Sequence, residues 1–375
     1  VQPQGPIRER ASTQIKRGDE RLMSSKEVYN VRLEPVGIDI EVEEDETVLD
    51  AAFRQGIAVP HGCKEGQCAS CKSILIDGEI DLKKYSTFAL SDMERDQEHI
   101  LLCRTLAFSD LEIELLNYDE ELLAYSIPVK DFEAEVTGIT PLTHDIRLLE
   151  ITIDKPLKFW AGQYVDITLP DQAITRSFSM ANPPSETEKL AFIIKRYDGG
   201  AFSGQLDGSE SGSGRGLGVG AKVELRGPYG TCFRRENHEG PLILVGGGSG
   251  MSPLWSIFQD HVESGEKRAV RFFYGARSEA DLFYLDTIKE LGAKLDDFTF
   301  IPVLSDAADD DDWTGEKGMV HEVLQTHLAD LDLSDGGDAY TCGPPPMIDA
   351  VMPMLIMSDI EGDRIFFDKF TQASG

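Results

Sequence analysis

The stretch HGCKEGQCASC, His61 to Cys71, holds three of the chain's six cysteines, and a fourth stands far downstream at Cys103. A fold that uses these thiols together must carry Cys103 back to that loop. Six cysteines in 375 residues are too sparse for a disulfide framework, and 41% hydrophobic residues build full-sized cores without staples. Zinc sites come as two close pairs, or as cysteines with paired histidines, and here the remote fourth ligand is single. The spacing Cys63-x4-Cys68-x2-Cys71 with a lone Cys103 is that of a 2Fe–2S cluster. Three thiolates on one loop wrap the irons, and the fourth comes from across the domain. Gly62 and Gly66 allow the tight turns, and loop N–H groups can donate to the sulfurs and tune the potential. His61, beside four cysteines, reads as a loop residue rather than a ligand.

The rest of the chain divides around this loop. Residues 1–27 are polar and mixed in charge and are expected to be disordered, with Met23 as the natural start and residues 1–22 as an extension. Residues 28–120 form a first segment. VRLEPVGIDIEVEED alternates at strand period on both sides of a turn at Pro35–Gly37, Thr47 opens a short helix, a long loop follows, and LEIELLNY closes. That is a small β-rich α+β domain. Residues 121–128 read as a linker. Residues 129–235 carry six short strand patterns separated by Pro and Gly, which argues for an antiparallel barrel. Within them Asp207–Gly220 is a Gly/Ser-rich surface loop. Residues 236–375 alternate strand and helix, from PLILVGGG to RIFFDKF, which means a parallel sheet with helices on both faces.

Charge narrows the function. The 36 basic and 67 acidic residues give a net of −31. Nucleic acid and anionic membranes need clustered Lys and Arg, so neither is expected as a partner. No stretch approaches the roughly 18 apolar residues that span a bilayer. A cytoplasmic protein is expected. Many soluble proteins are simply acidic, yet such a surface also suits docking on a basic partner. DAADDDDW, Asp306 to Trp313, lacks the spacing of a calcium loop and reads as solvated.

Two further motifs carry chemistry. In RSFSMANPP, strand geometry sends Arg176 and Phe178 one way and Ser177 and Ser179 the other. An arginine can bind a pyrophosphate and an aromatic can cover a flat ring, but the motif is weak and by itself reads as an ordinary edge strand. GGAFSGQL reads as a glycine turn into a helix N-terminus, a phosphate cradle. VGGGSGMSP follows a strand and opens a helix, so Gly246, Gly248 and Gly250 would let backbone approach a pyrophosphate, with Ser252 as N-cap and Pro253 at N1. Cys342 ends a later strand, where open α/β sheets bind ligands, and reads equally as a small core thiol. Cys232 reads as core.

With these motifs in view, residues 29–375 resemble the reductase components of soluble diiron monooxygenases, the methane, propane and alkene monooxygenase group. The first segment resembles plant-type ferredoxins. HGCKEGQCASCKS, STFA, LLCR and IELLNYDEE carry the likeness, together with the order of the three domains. The resemblance implies a β-grasp ferredoxin domain, an antiparallel β-barrel flavin domain and an α/β Rossmann-like nicotinamide domain. It implies a 2Fe–2S cluster on Cys63, Cys68, Cys71 and Cys103. It implies FAD at Arg176, Ser177, Phe178 and Ser179, with the diphosphate at Gly200, Phe202 and Ser203. It implies NADH at the glycine loop and at Cys342, Gly343 and Pro344, with Cys342 near the nicotinamide C4. A near-terminal aromatic, Phe370, would shield the flavin face, with Asp368 close by; a core strand is the other reading of FFDKF. Glu279 and Asp281 favour NADH, since a carboxylate bonds a ribose hydroxyl and repels a 2′-phosphate, while Arg277 beside Ser278 argues the other way. The implied circuit runs from NADH to FAD to the cluster to a diiron hydroxylase. A reductase for a Rieske aromatic-ring dioxygenase uses the same modules, and a redox-responsive docking subunit that gates an oxygenase with little turnover is a third reading.

Overall fold

The computed structural model describes residues 27–116, 118, 120–206, 217–236, 238–307, 313–329, 331–358 and 360–370. The expected N-terminal extension, most of the Asp207–Gly220 loop and the centre of Asp306–Trp313 lie outside the described residues. Among the described residues no helix is long and apolar enough to cross a membrane.

The first segment contains β1 (Val28–Glu34), β2 (Ile38–Glu43), α1 (Val48–Arg54), β3 (Lys72–Asp77), β4 (Ile80–Leu82), α2 (Asp92–Arg95), β5 (His99–Leu101), β6 (Thr105–Ala107) and β7 (Leu111–Leu115). Its sheet runs β2-β1-β7-β3-β5, with β1 and β7 parallel at the centre. Alternation makes this sheet one-sided: Leu111, Ile113 and Leu115 face the core and Glu112 and Glu114 face water. Thr47 caps α1 through its hydroxyl, which accepts from the Asp50 amide. The long loop expected after the cysteines is instead four strands and a helical turn. Strands of three residues, such as β4, β5 and β6, are too short to show a period in the sequence.

The linker is not free chain. It holds α3 (Glu120–Ala124), Leu122 is buried, and Tyr125 packs edge-on against Trp160 and Phe233. The six expected strands of the second segment are β8 (Lys130–Pro141), β9 (Ile146–Ile153), β10 (Tyr164–Leu169), β11 (Ile174–Ser179), β12 (Lys189–Lys195) and β13 (Lys222–Tyr229). They form one curled antiparallel sheet in the order β11-β10-β13-β8-β9-β12. Its two edges approach where the Ala181 amide donates to Ala191 O at 2.7 Å.

The third segment contains β14 (Leu242–Gly246), α4 (Met251–Ser264), β15 (Val270–Ala276), α5 (Leu285–Gly292), β16 (Phe298–Leu304), β17 (Glu316–Lys317), α6 (Val320–Leu328), β18 (Asp338–Gly343), α7 (Pro345–Met357) and β19 (Ile365–Lys369). Every ladder is parallel, in the order β17-β16-β15-β14-β18-β19. Leu242 and Leu244 pack with α4 and α5 on one face, and Ile243 and Val245 with α6 and α7 on the other. Helix α5 begins only at Leu285, because Ser278–Asp281 closes its own 3-10 turn and Tyr284 is left-handed at φ 61.

Candidate redox site

The pairing of β3 with β5 explains how the remote cysteine reaches the loop. Lys72 lies opposite Leu101, so Cys71 and Cys103, just beyond these strands, meet with sulfurs 3.3 Å apart. Left-handed backbone at Lys64, Gly66 and Ala69 folds the loop over them. Its amides point at sulfur: Gln67 and Glu65 donate to Cys63 Sγ at 3.2 and 3.4 Å, and Cys63 donates to Cys68 Sγ at 3.2 Å. The Cys63 thiol and Ser70 hold Cys68 down to about 5, while neighbouring thiols and burial push Cys63 and Cys103 up. Thiols this crowded cannot all ionise without cations among them. A set of sulfurs with amides aimed at it fits an iron–sulfur cluster.

His61 is more than a loop residue. It is buried, its Nδ1 lies 2.8 Å from Val59 O, and its Nε2 accepts from the Gly230 amide of the barrel at 3.2 Å. Burial lowers its pKa to about 4, so it stays neutral with the proton on Nδ1. Beside it, Tyr164 OH donates to Gly62 O, and Lys64 Nζ reaches Asp166 Oδ2 at 2.6 Å. Nothing in the sequence signals these contacts, whose partners are more than a hundred residues apart.

In the barrel, β11 alternates as expected, with Arg176 and Phe178 half-buried and Ser177 exposed. Ser179 is buried and stands opposite Tyr164 of β10. Among the described residues Arg176 has no carboxylate partner; its guanidinium bonds only Thr175 O. In so acidic a chain, a guanidinium without a carboxylate is available to an anion such as a pyrophosphate. Ser177 Oγ donates to Asp166 Oδ1 at 2.6 Å, so its hydroxyl proton is already engaged. Phe202 is buried in the barrel core with its ring 4.8 Å from that of Phe178. GGAFSGQL does not open a helix: Ser203–Gln205 is a single 3-10 turn. A Cβ at Gly200 would crowd Ser203 Oγ and lie 3.1 Å from the Tyr197 carbonyl.

The order of strand addition reverses between β14 and β18, which are parallel neighbours in space, and the glycine loop and the Cys342–Pro344 turn leave the sheet side by side at that point. This is where ligands of open α/β sheets bind. The glycines divide by role. A Cβ at Gly246 would meet Leu254 and Cys342 O, and one at Gly250 would meet Cys342 O. Those two are needed by the fold's own packing. Gly248, at φ 57, has open space on its Cβ side. Ser252 is not the N-cap. A 3-10 turn at Gly248–Gly250 runs straight into α4, which places Ser252 inside the helix. Its hydroxyl serves the barrel instead, donating to Ser179 O at 2.7 Å and accepting from the Ile193 amide at 3.1 Å.

Cys342 is fully buried, and its sulfur lies 3.7 Å from that of Cys232, so the thiol read as plain core is its neighbour. Burial holds the Cys342 thiol well above its usual range, so it is neutral. Asp368 lies opposite Cys342 on β19, and burial pushes its carboxyl up to about 6. The Phe370 amide donates to Gly343 O at 2.9 Å, which seats Phe370 beside the Cys342 turn; the aromatic buried in the core is Phe366, stacked on Tyr340. Asp281 accepts from Ser278 in a capping box and lies 3.7 Å from His144, whereas Glu279 is exposed.

Residues 31–108 match the 2Fe-2S iron-sulfur cluster binding domain, residues 133–233 the oxidoreductase FAD-binding domain, and residues 244–352 the oxidoreductase NAD-binding domain. Fold and motifs together define an NADH-dependent electron-transfer reductase that uses FAD and a 2Fe–2S cluster. The chain is 44% identical over 349 residues to the reductase component of propane 2-monooxygenase from Gordonia sp. (strain TY-5), covering 92% of this chain and 98% of that protein. It is 40% identical over 348 residues to the phenol 2-monooxygenase reductase component DmpP of Pseudomonas sp. (strain CF600), covering 92% and 95%. The crystal structure of the Amycolatopsis cytochrome P450 reductase GcoB is similar with a TM-score of 0.81 at 29% identity, covering 92% of this chain and 100% of that one. The chain belongs to the reductase-component family of soluble diiron monooxygenase systems, of the propane-monooxygenase type.

Proposed function

We propose that this reductase delivers electrons to the hydroxylase of a soluble diiron monooxygenase, and that the residues named from the sequence hold its cofactors. Cys63, Cys68, Cys71 and Cys103 ligate the cluster. Arg176 pairs with the FAD pyrophosphate, the turn after Gly200 offers the Ala201, Phe202 and Ser203 amides to the same group, and Ser179 fixes the reactive edge of the ring. Gly248 faces the NADH pyrophosphate, Gly246 and Gly250 shape the loop that receives it, and the turn of Cys342, Gly343 and Pro344 orients the nicotinamide. The Cys342 thiol acts there as a neutral group. Phe370 covers the flavin until nicotinamide displaces it, and exposed Glu279 excludes a 2′-phosphate. FAD supplies the conversion between a two-electron hydride donor and a one-electron carrier. NADH and reduced thiols suit the cytoplasm.

One observation carries this reading. Ser179 is bonded to the glycine-loop helix through Ser252, and its cross-strand neighbour Tyr164 touches the cysteine loop at Gly62. A ring held at Ser179 therefore lies between donor and acceptor. Propane and phenol monooxygenase relatives support the diiron partner. Cys68→Ser is expected to abolish reduction of the hydroxylase while NADH-to-ferricyanide turnover persists. Loss of both activities in folded, flavin-loaded protein would contradict the order of the circuit.

A further inference from the structure

Lys64 immediately follows a candidate cluster ligand, yet its side chain leaves the cysteine loop. Its backbone is left-handed at φ 57, which non-glycine residues adopt at a cost. Its ammonium lies 2.6 Å from Asp166 Oδ2 on β10, 3.5 Å from the centroid of the Tyr229 ring and 5.1 Å from that of Tyr164. The side chains of Lys64 and Asp166 are only 17% and 18% exposed. A lysine needed for solubility would extend into water; this one is desolvated between two tyrosines of another domain. Apolar side chains would join the surfaces equally well, whereas a buried ion pair fixes one register between them. Asp166 is itself held by Ser177, next to Phe178. The second link is Tyr164, whose hydroxyl bonds Gly62 O at 3.3 Å while its backbone stands opposite Ser179. On the other side of the loop Glu65, Gln67 and Cys68 remain exposed.

We propose that Lys64 and Tyr164 are positioning residues that latch the cysteine loop onto the flavin barrel and set the rate at which electrons pass from flavin to cluster. The proposal rests on the cofactor placement given above. NADH becomes NAD+ and gives a hydride, two electrons with one proton, to the flavin site. The electrons would leave singly, through a cluster held by Cys63, Cys68, Cys71 and Cys103, to the external acceptor that they reduce, and the proton would return to water. Because the latch grips the loop on its Lys64 side and leaves the Cys68 side open, the acceptor can dock without the cluster domain leaving the barrel.

The test uses the full chain carrying FAD and cluster, mixed anaerobically with NADH in a stopped-flow instrument, with freeze-quench EPR for the cluster. Lys64→Met keeps the stem over Tyr229 and removes the charge. Flavin bleaching should keep its wild-type rate, and cluster content and the EPR line shape should be unchanged. Cluster reduction should slow about tenfold, which corresponds to about 1.4 kcal/mol in the docked population. Exchanging the charges, Lys64→Asp with Asp166→Lys, should recover part of the loss, a rescue that general loosening would not give. Tyr164→Phe, which removes one hydroxyl and no packing, should slow the same step alone. Cluster reduction at the wild-type rate in both Lys64→Met and Tyr164→Phe would overturn the latch. A wild-type chain whose flavin bleaches but whose cluster never reduces would overturn the cofactor placement instead, and the latch with it.

Discussion

One face of α4 makes a row of hydrogen bonds from the nicotinamide domain to the barrel. Ser252, Ser256 and Gln259 follow each other at helical spacing, and their side chains donate to the carbonyls of Ser179, Asn182 and Ala181. Ser252 is the most exacting of the three, because it also accepts the Ile193 amide of β12. It is 2% exposed, so no water can replace it without opening the interface. Ser252→Ala leaves one buried carbonyl and one buried amide without this partner, each costing about 1–3 kcal/mol. Allowing for relaxation, the local loss is about 2–4 kcal/mol, which lowers amide protection between roughly thirtyfold and a thousandfold. Hydrogen-exchange mass spectrometry on the cofactor-loaded chain reads this directly in peptides covering β12. Ser256→Ala, one turn further on, frees the Asn182 carbonyl and should leave the Ile193 region protected. Unchanged exchange of β12 in Ser252→Ala would refute the view that this hydroxyl joins the two domains.

Two other substitutions test carboxylates of the nicotinamide domain. Asp338 is fully buried at the start of β18, where it accepts from Arg268 at 2.7 Å, Arg364 at 2.8 Å and His238 at 2.9 Å. Asp338→Asn should destabilise the nicotinamide domain by about 3 kcal/mol, since both guanidiniums lose their counter-charge; a lower urea midpoint in Trp255 fluorescence is the readout. Asp368 has the opposite character. Its folded pKa, about 6, lies above the 3.8 of an ordinary aspartate, so its contribution to stability is full below the lower value and is lost as pH rises through the upper one. Asp368→Asn should therefore stabilise the protein, with the gain growing by about 1 kcal/mol between about pH 5 and about pH 7.5. A gain that is flat with pH would show that this carboxyl is not desolvated.

Sequence reading succeeded where chemistry or period is local. The cysteine spacing was legible because three of the four sulfurs sit on one loop. The six barrel strands and the strand–helix alternation were legible because their burial repeats every two or every three to four residues. It failed where signals are short or shared. Strands β4 to β6 are too brief to show alternation. Ser252-Pro253 has the composition of a helix start, but an upstream 3-10 turn had already opened the helix. Residues 121–128 read as a linker, yet Leu122 is buried and Tyr125 packs on Trp160 and Phe233 of the barrel. The glycine loop looked uniform, and only the neighbouring Cys342 carbonyl and Leu254 separate Gly246 and Gly250 from Gly248.

Taken alone, the order of residues determined the division into three modules and the cysteine spacing of a 2Fe–2S site, because those features depend on spacing and period along the chain; the flavin and nicotinamide, and the side chains expected to hold them, came from the family resemblance. What only the tertiary structure decided is how the modules face one another. His61 on Gly230, Lys64 on Asp166 and Ser252 on Ser179 join positions 73 to 169 residues apart. Such pairs leave no periodic trace, since each is a single contact chosen by the packing of two finished surfaces.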